Sequence, residues 1–183
     1  MPLNSSYISK YLWLSADYID DKRDFPWELR LSIASGFHYI YQSSDNQEII
    51  PHGNLKLSNI LLDENNKALT SEYGFSRFLN PKACNLTANG YTAPEKLLTE
   101  QGDVFSFGVI LLELLTSRTV EKSGIDLPKW VRAMVREEWT GEVFDKEVSK
   151  AATQWAFPLL NLLSSVYHIL PRIGQQVQKF GTR

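Results

Sequence analysis

The run from His52 to Asn59 (His-Gly-Asn-Leu-Lys-Leu-Ser-Asn), with Glu72 thirteen residues beyond it, holds the side chains best suited to chemistry. An ammonium group can hold an anion, a carboxylate a cation or a proton, and carboxamides position partners through hydrogen bonds. The carboxamide of Asn54 has no titratable oxygen, so that position cannot take up a proton at any physiological pH. A purely structural reading is also open, with Asn54 and Asn59 bonded to loop backbone and Lys56 and Glu72 solvated or paired. Cys84, the single cysteine, has no internal disulfide partner and is taken as structural.

The elements that must position these residues follow from periodicity and turn signals. Residues 27–41 alternate apolar and polar positions at helical spacing until Ser43-Ser44-Asp45-Asn46 breaks the pattern. From Glu48 to Leu62, two short β-branched runs flank a Pro-His-Gly-Asn turn and lead into Asp63-Glu64-Asn65-Asn66, a strong turn signal. Ala93-Pro94-Glu95 is expected to open a short helix after the polar stretch 80–89. Residues 103–116 are apolar nearly all round, which predicts a helix buried on every side, with Asp103 suited to its N-cap. Residues 126–139 predict an amphipathic surface helix with an Asp126 cap, a proline in the first turn and Trp130, Met134 and Val135 on the apolar face. One more short apolar helix is expected at 155–163.

The chain has 183 residues, 43% hydrophobic and 22% charged, enough for one domain with a real core. A formal charge of −2 gives no electrostatic case for nucleic acid or an anionic membrane, leaving proteins as the expected partners. The first eighteen residues lack the layout of a signal peptide, and the longest apolar stretch, Val104 to Leu115, is too short to span a bilayer, so this chain is expected to be soluble.

Taken together and in this order, the motifs resemble the C-terminal lobe of a protein kinase. His52 to Asn59 is similar to the catalytic-loop pattern His-Arg-Asp-Leu-Lys-x-x-Asn, Glu72-Tyr73-Gly74 stands where kinases carry Asp-Phe-Gly, Ala93-Pro94-Glu95 closes a short activation segment, and Asp103 begins the buried helix. Pro51 to Leu62, Gly102 to Thr116 and Asp126 to Asp145 are similar in finer detail to plant leucine-rich-repeat receptor-like protein kinases of the inactive receptor kinase type. The resemblance covers roughly residues 15–163. The implied fold is mainly α, a helical bundle with short β-hairpins at the catalytic loop and with the N-terminal lobe absent, since only about fifty residues precede the loop.

The resemblance assigns roles and marks departures. Phosphoryl transfer rests on a carboxylate that orients the hydroxyl, on metals that bridge the phosphates, and on a lysine and a glycine-rich strand that hold the nucleotide. Asn54 takes the position of the catalytic aspartate, and Gly53 replaces the arginine that pairs with a phosphorylated activation loop. Lys56 matches the substrate-phosphate lysine and Asn59 the metal-ligand asparagine. Glu72 keeps a carboxylate at the magnesium position but one methylene too long for tight octahedral binding. His52, Gly74, Glu95 and Asp103 match structural positions. With no glycine-rich loop or strand lysine upstream, no cofactor is expected for this chain, although the family uses ATP and magnesium.

Two further departures concern the helix at 27–41 and the C-terminus. About four residues of the family pattern are missing after Gly36, one helical turn, so the apolar face is kept with a rotation of about 40°; His38 there reads as a packing or surface residue. Residues 164–183 lack the Pro-Glu-Asp-Arg-Pro string whose arginine partners Glu95. Synonymous codons for Ser164 to Gln176, read from the third base, yield Glu-Cys-Ile-Ser-His-Ser-Pro-Glu-Asp-Arg-Pro-Thr. The expected layout is therefore an atypical start at 1–14, a kinase-like portion at 15–163, and a divergent tail at 164–183 from a frameshift or altered splice.

The expected function is that of a pseudokinase fragment acting through protein contacts in signalling, with another receptor-like kinase as partner. The alternative is a truncated serine/threonine kinase with ATP binding and kinase activity. The expected location is cytoplasmic, at the cytosolic side of the plasma membrane for the full-length family.

Overall fold

The computed structural model describes residues 12–13, 26–42, 50–73, 90–94, 98–137 and 142–150. In chain order the elements are β1 (Leu12–Trp13), α1 (Trp27–Gln42), a single 3-10 turn (Leu57–Asn59), β2 (Ile60–Leu62), β3 (Ala68–Thr70), α2 (Glu100–Thr116), α3 (Val120–Ser123) and α4 (Leu127–Arg136). A further helical turn runs over 146–150.

β1, β2 and β3 form one antiparallel sheet in that order, with Leu12 opposite Leu62, Leu61 opposite Leu69 and Leu62 opposite Ala68. The β2–β3 hairpin closes at the turn the sequence predicts. Asp63 Oδ1 accepts the backbone N–H groups of Asn65 and Lys67, each at 2.8 Å, and Asn66 takes the left-handed φ of 59° that asparagine tolerates. Of the two runs flanking the Pro-His-Gly-Asn turn, only the second forms a described strand; Ile50 is not in one, and Glu48 and Ile49 lie outside the described residues.

α2 is the centre of the core, although not buried on every side as expected, since Val104 near its start is 45% exposed. Val109, Ile110, Leu112, Leu114 and Leu115 are buried along its length, and Ile33, Leu55, Leu57, Ile60, Leu127 and Val131 belong to the same cluster. Full burial of such side chains contributes about 1.5 to 3 kcal/mol each. Its start differs from the expectation at Asp103. The helix begins three residues earlier, at Glu100, because Thr99 accepts the Gly102 N–H at 3.1 Å and acts as N-cap. Asp103 is freed for another task.

α1 matches the expected helix to within a residue. α4 starts at the Asp126 cap, which accepts the Lys129 N–H at 3.1 Å, and ends at Arg136, short of the expected 139. Trp130, Met134 and Val135 pack partly buried against the core, while Leu127 and Val131 make the buried stripe. Arg30 ties the helices together. Its buried guanidinium donates to the Leu114 carbonyl, to Ser117 Oγ at 3.1 Å and to Asp145 Oδ1 at 3.1 Å, joining α1, the end of α2 and the segment before the 146–150 turn. Among the described residues no helix is long and apolar enough to cross a membrane.

Gly74, Cys84, Glu95, the expected helix at 155–163, the tail at 164–183 and all of the 1–14 start except β1 lie outside the described residues.

Candidate catalytic loop

Asp103, one turn into α2, accepts two consecutive backbone N–H groups from the loop: His52 on Oδ2 at 2.6 Å and Gly53 on Oδ1 at 2.9 Å. Gly53 makes this possible with a φ of 74°, a left-handed turn that costs glycine nothing. The His52 ring, almost fully buried, is held from both sides. Asn54 N–H donates to Nδ1 at 3.3 Å, which leaves the proton on Nε2 to donate to the Ser71 carbonyl at 2.8 Å. Tyr73 meets the same ring edge-on at 6.1 Å between centroids.

Beyond His52 the loop alternates. Leu55, Leu57 and Asn59 are buried, whereas Asn54, Lys56 and Ser58 are half-exposed. The buried leucines anchor the loop in the core, so the side chains between them are presented outward.

Asn54, Asn59 and Glu72 converge. Nδ2 of Asn54 donates to Glu72 Oε2 at 2.6 Å, and Nδ2 of Asn59 donates to the same oxygen at 3.1 Å and to the Asn54 carbonyl at 2.9 Å. Ser71 N–H closes the arrangement on the Asn59 carbonyl at 2.9 Å. Glu72 holds a left-handed φ of 64°, which costs a side-chain-bearing residue about 1 kcal/mol; the two amide donors offset it. A magnesium ion needs oxygen ligands at about 2.0 to 2.1 Å in an octahedron. Here one Glu72 oxygen already receives two N–H donors, which would oppose a cation, so this arrangement does not fit magnesium.

Lys56 does not join that group. Its Nζ lies 3.9 Å from Glu121 Oε1, the oxygen to which Ser58 Oγ donates at 2.9 Å.

A second polar centre lies behind the loop. Glu113 of α2 is fully buried; its Oε1 accepts Tyr91 O–H at 2.6 Å and Val120 N–H at 2.8 Å, while Oε2 has no partner among the described residues. Burial pushes the Glu113 carboxyl up to about 7, against the lowering effect of those two hydrogen bonds and with a smaller push from the Glu121 charge. Burial and Glu113 together raise the Tyr91 hydroxyl well beyond its ordinary value, so it stays a donor. Tyr91 is also fixed through its carbonyl, which accepts Ser106 Oγ at 2.7 Å. Next to it, Gly90 (φ 79°) lies so close to Val120 that an added Cβ would sit 2.1 Å from Cγ1.

Sequence reasoning missed Arg30, Tyr91, Glu113 and Glu121. For Glu113 the signal was an acid within an otherwise apolar helix, which demands a buried partner; for Arg30 it was a charge on the core-facing helix 27–41.

The protein kinase domain family matches residues 26–168. This chain belongs to the protein kinase family. Within that family, the kinase domain is similar to plant leucine-rich-repeat receptor-like kinases. It is 41% identical to the leucine-rich repeat receptor-like protein kinase PXC1 of Arabidopsis thaliana over 67% of this chain and 22% of the relative. It is 40% identical to the probable inactive receptor kinase At1g48480 of the same plant over 69% of this chain and 21% of the relative. The match thus spans about a fifth of the curated relatives' length. Among solved structures, the maize SIRK1 (sucrose-induced receptor kinase 1) kinase domain bound to AMP-PNP aligns with a TM-score of 0.66 and 28% identity. That alignment covers 93% of this chain and 66% of SIRK1. The mostly helical kinase fold with few strands is that of a C-terminal lobe.

Proposed function

We propose that this chain is a pseudokinase portion of a receptor-like kinase, acting through protein contacts rather than phosphoryl transfer. Asn54 carries the reading. At the position of the family's catalytic aspartate stands a carboxamide whose nitrogen donates to Glu72 at 2.6 Å, so this position offers no base to a substrate hydroxyl. In the same reading Lys56, Asn59 and Glu72 are vestiges of phosphate and metal positions, and His52, Gly74, Glu95 and Asp103 keep structural roles. No tight ATP–magnesium site is expected. The kinase-like portion runs over 15–163 after an atypical start at 1–14. The tail at 164–183 comes from a frameshift or altered splice, which the transcript sequence tests directly. The partner is another receptor-like kinase at the cytosolic face of the plasma membrane.

A second reading, a portion of an active serine/threonine kinase that binds ATP, draws on the AMP-PNP-bound SIRK1 neighbour. A thermal melt with and without millimolar ATP and magnesium, run beside a phosphotransfer assay, separates the two. Ligand at a hundred times its dissociation constant stabilises by about 2.7 kcal/mol, a readily measured shift. No magnesium-dependent shift and no transfer are expected; either one present would overturn the pseudokinase reading.

A further inference from the structure

The outward edge of the loop consists of Lys56 and Ser58, two residues apart and both half-exposed between buried leucines. Both face one oxygen, Glu121 Oε1: Ser58 Oγ donates to it at 2.9 Å, and the Lys56 ammonium stands at an ion-pair distance of 3.9 Å. Glu121 comes from α3, sixty-three residues further along the chain from Ser58. The residue before it is anchored: Val120 is buried, and its N–H is held by Glu113 at 2.8 Å. This anchor delivers the Glu121 carboxylate to the loop edge. The delivered side chain itself remains 38% exposed, and α3 ends after one turn at Gly124 (φ 63°), so it can swing away without disturbing the core.

We propose that Lys56 and Ser58 form a recognition site for the carboxylate of an acidic segment in a partner protein, and that Glu121 occupies this site in cis as a removable plug. The inference rests on the reading that the loop binds rather than catalyses. A hydroxyl that donates and an ammonium at ion-pair distance together suit the carboxylate of an aspartate or glutamate side chain. A cis contact of surface ion-pair strength holds the site mostly closed, yet is weak enough for a segment with several acids to displace.

The test measures binding of fluorescein-labelled hexaglutamate by fluorescence anisotropy at low salt, with labelled hexaglutamine as control. Glu121→Gln is expected to tighten hexaglutamate binding about fivefold, the population released by losing one exposed ion pair. Adding Lys56→Met to Glu121→Gln is expected to return affinity to the wild-type level or below, with hexaglutamine unaffected throughout. Equal affinity of wild type and Glu121→Gln would overturn the plug. Equal affinity of Glu121→Gln and the double variant would overturn the recognition site. Each variant changes a half-exposed or exposed side chain, and a thermal melt checks that all three proteins are folded. The same proteins in the phosphotransfer assay separate this inference from its premise: transfer by Glu121→Gln that is abolished when Lys56→Met is added would sink the pseudokinase reading, whereas the anisotropy result judges the plug.

Discussion

Replacing Glu113 by glutamine isolates the energetic cost of a buried acid. The folded carboxyl is raised from an ordinary 4.5 to about 7, chiefly by burial, so between those values the folded chain binds a proton that the unfolded chain has lost. Its stabilising contribution is therefore complete below about pH 4.5 and is lost as pH rises through 7. At ~1.36 kcal/mol per pH unit the whole loss is about 3 kcal/mol, a large share of the 5 to 15 kcal/mol typical of a domain. Glutamine keeps an oxygen to accept Tyr91 O–H and Val120 N–H but carries no titrating group. Urea unfolding of both proteins from about pH 5 to about pH 8 is the assay. The variant is expected to gain on wild type by about 2 to 3 kcal/mol across that range, because only wild type pays ionisation inside the core. Tyr91, held above its ordinary value, remains a donor throughout and adds nothing to the slope. A stability difference that stays constant with pH would refute the buried-proton argument.

Other outcomes follow from single contacts. Arg30→Met removes the charged donor to Asp145 and the donor to the Leu114 carbonyl at a buried crossing of three segments, and a loss of roughly 3 kcal/mol is expected in a denaturant melt. Gly90→Ala must displace Val120 as well as hold a left-handed φ, so a lowered melting temperature is expected that Val120→Ala partly rescues; no rescue would count against the close approach. Thr99→Ala removes the true N-cap of α2 and is expected to cost about 1 kcal/mol by chemical denaturation, whereas a cap at Asp103 would leave it silent.

The buried helix, the hairpin turn at Asp63 and the Asp126 cap were all legible because their causes are local: apolar residues all round, an Asp-Asn turn, an acid before a proline. The meeting of Asn54, Asn59 and Glu72 was legible only through the family pattern, since no spacing rule brings position 72 to position 54. What escaped was non-local. Asp103 reads as a cap from its neighbours, yet its partners are fifty residues upstream, and Thr99 performs the capping instead. Glu121 reads as one more surface acid, and only tertiary placement brings it to Lys56 and Ser58.

The two backbone N–H groups caught by Asp103 carry a consequence for how such a domain can change over time. They fix the course of the loop through main-chain N–H groups that every residue type but proline carries. Substitutions at Asn54 therefore leave these two anchors in place. A chain built this way can forfeit an activity and still offer a partner the same contour, so descent with lost chemistry leaves a surface on which new binding can be selected.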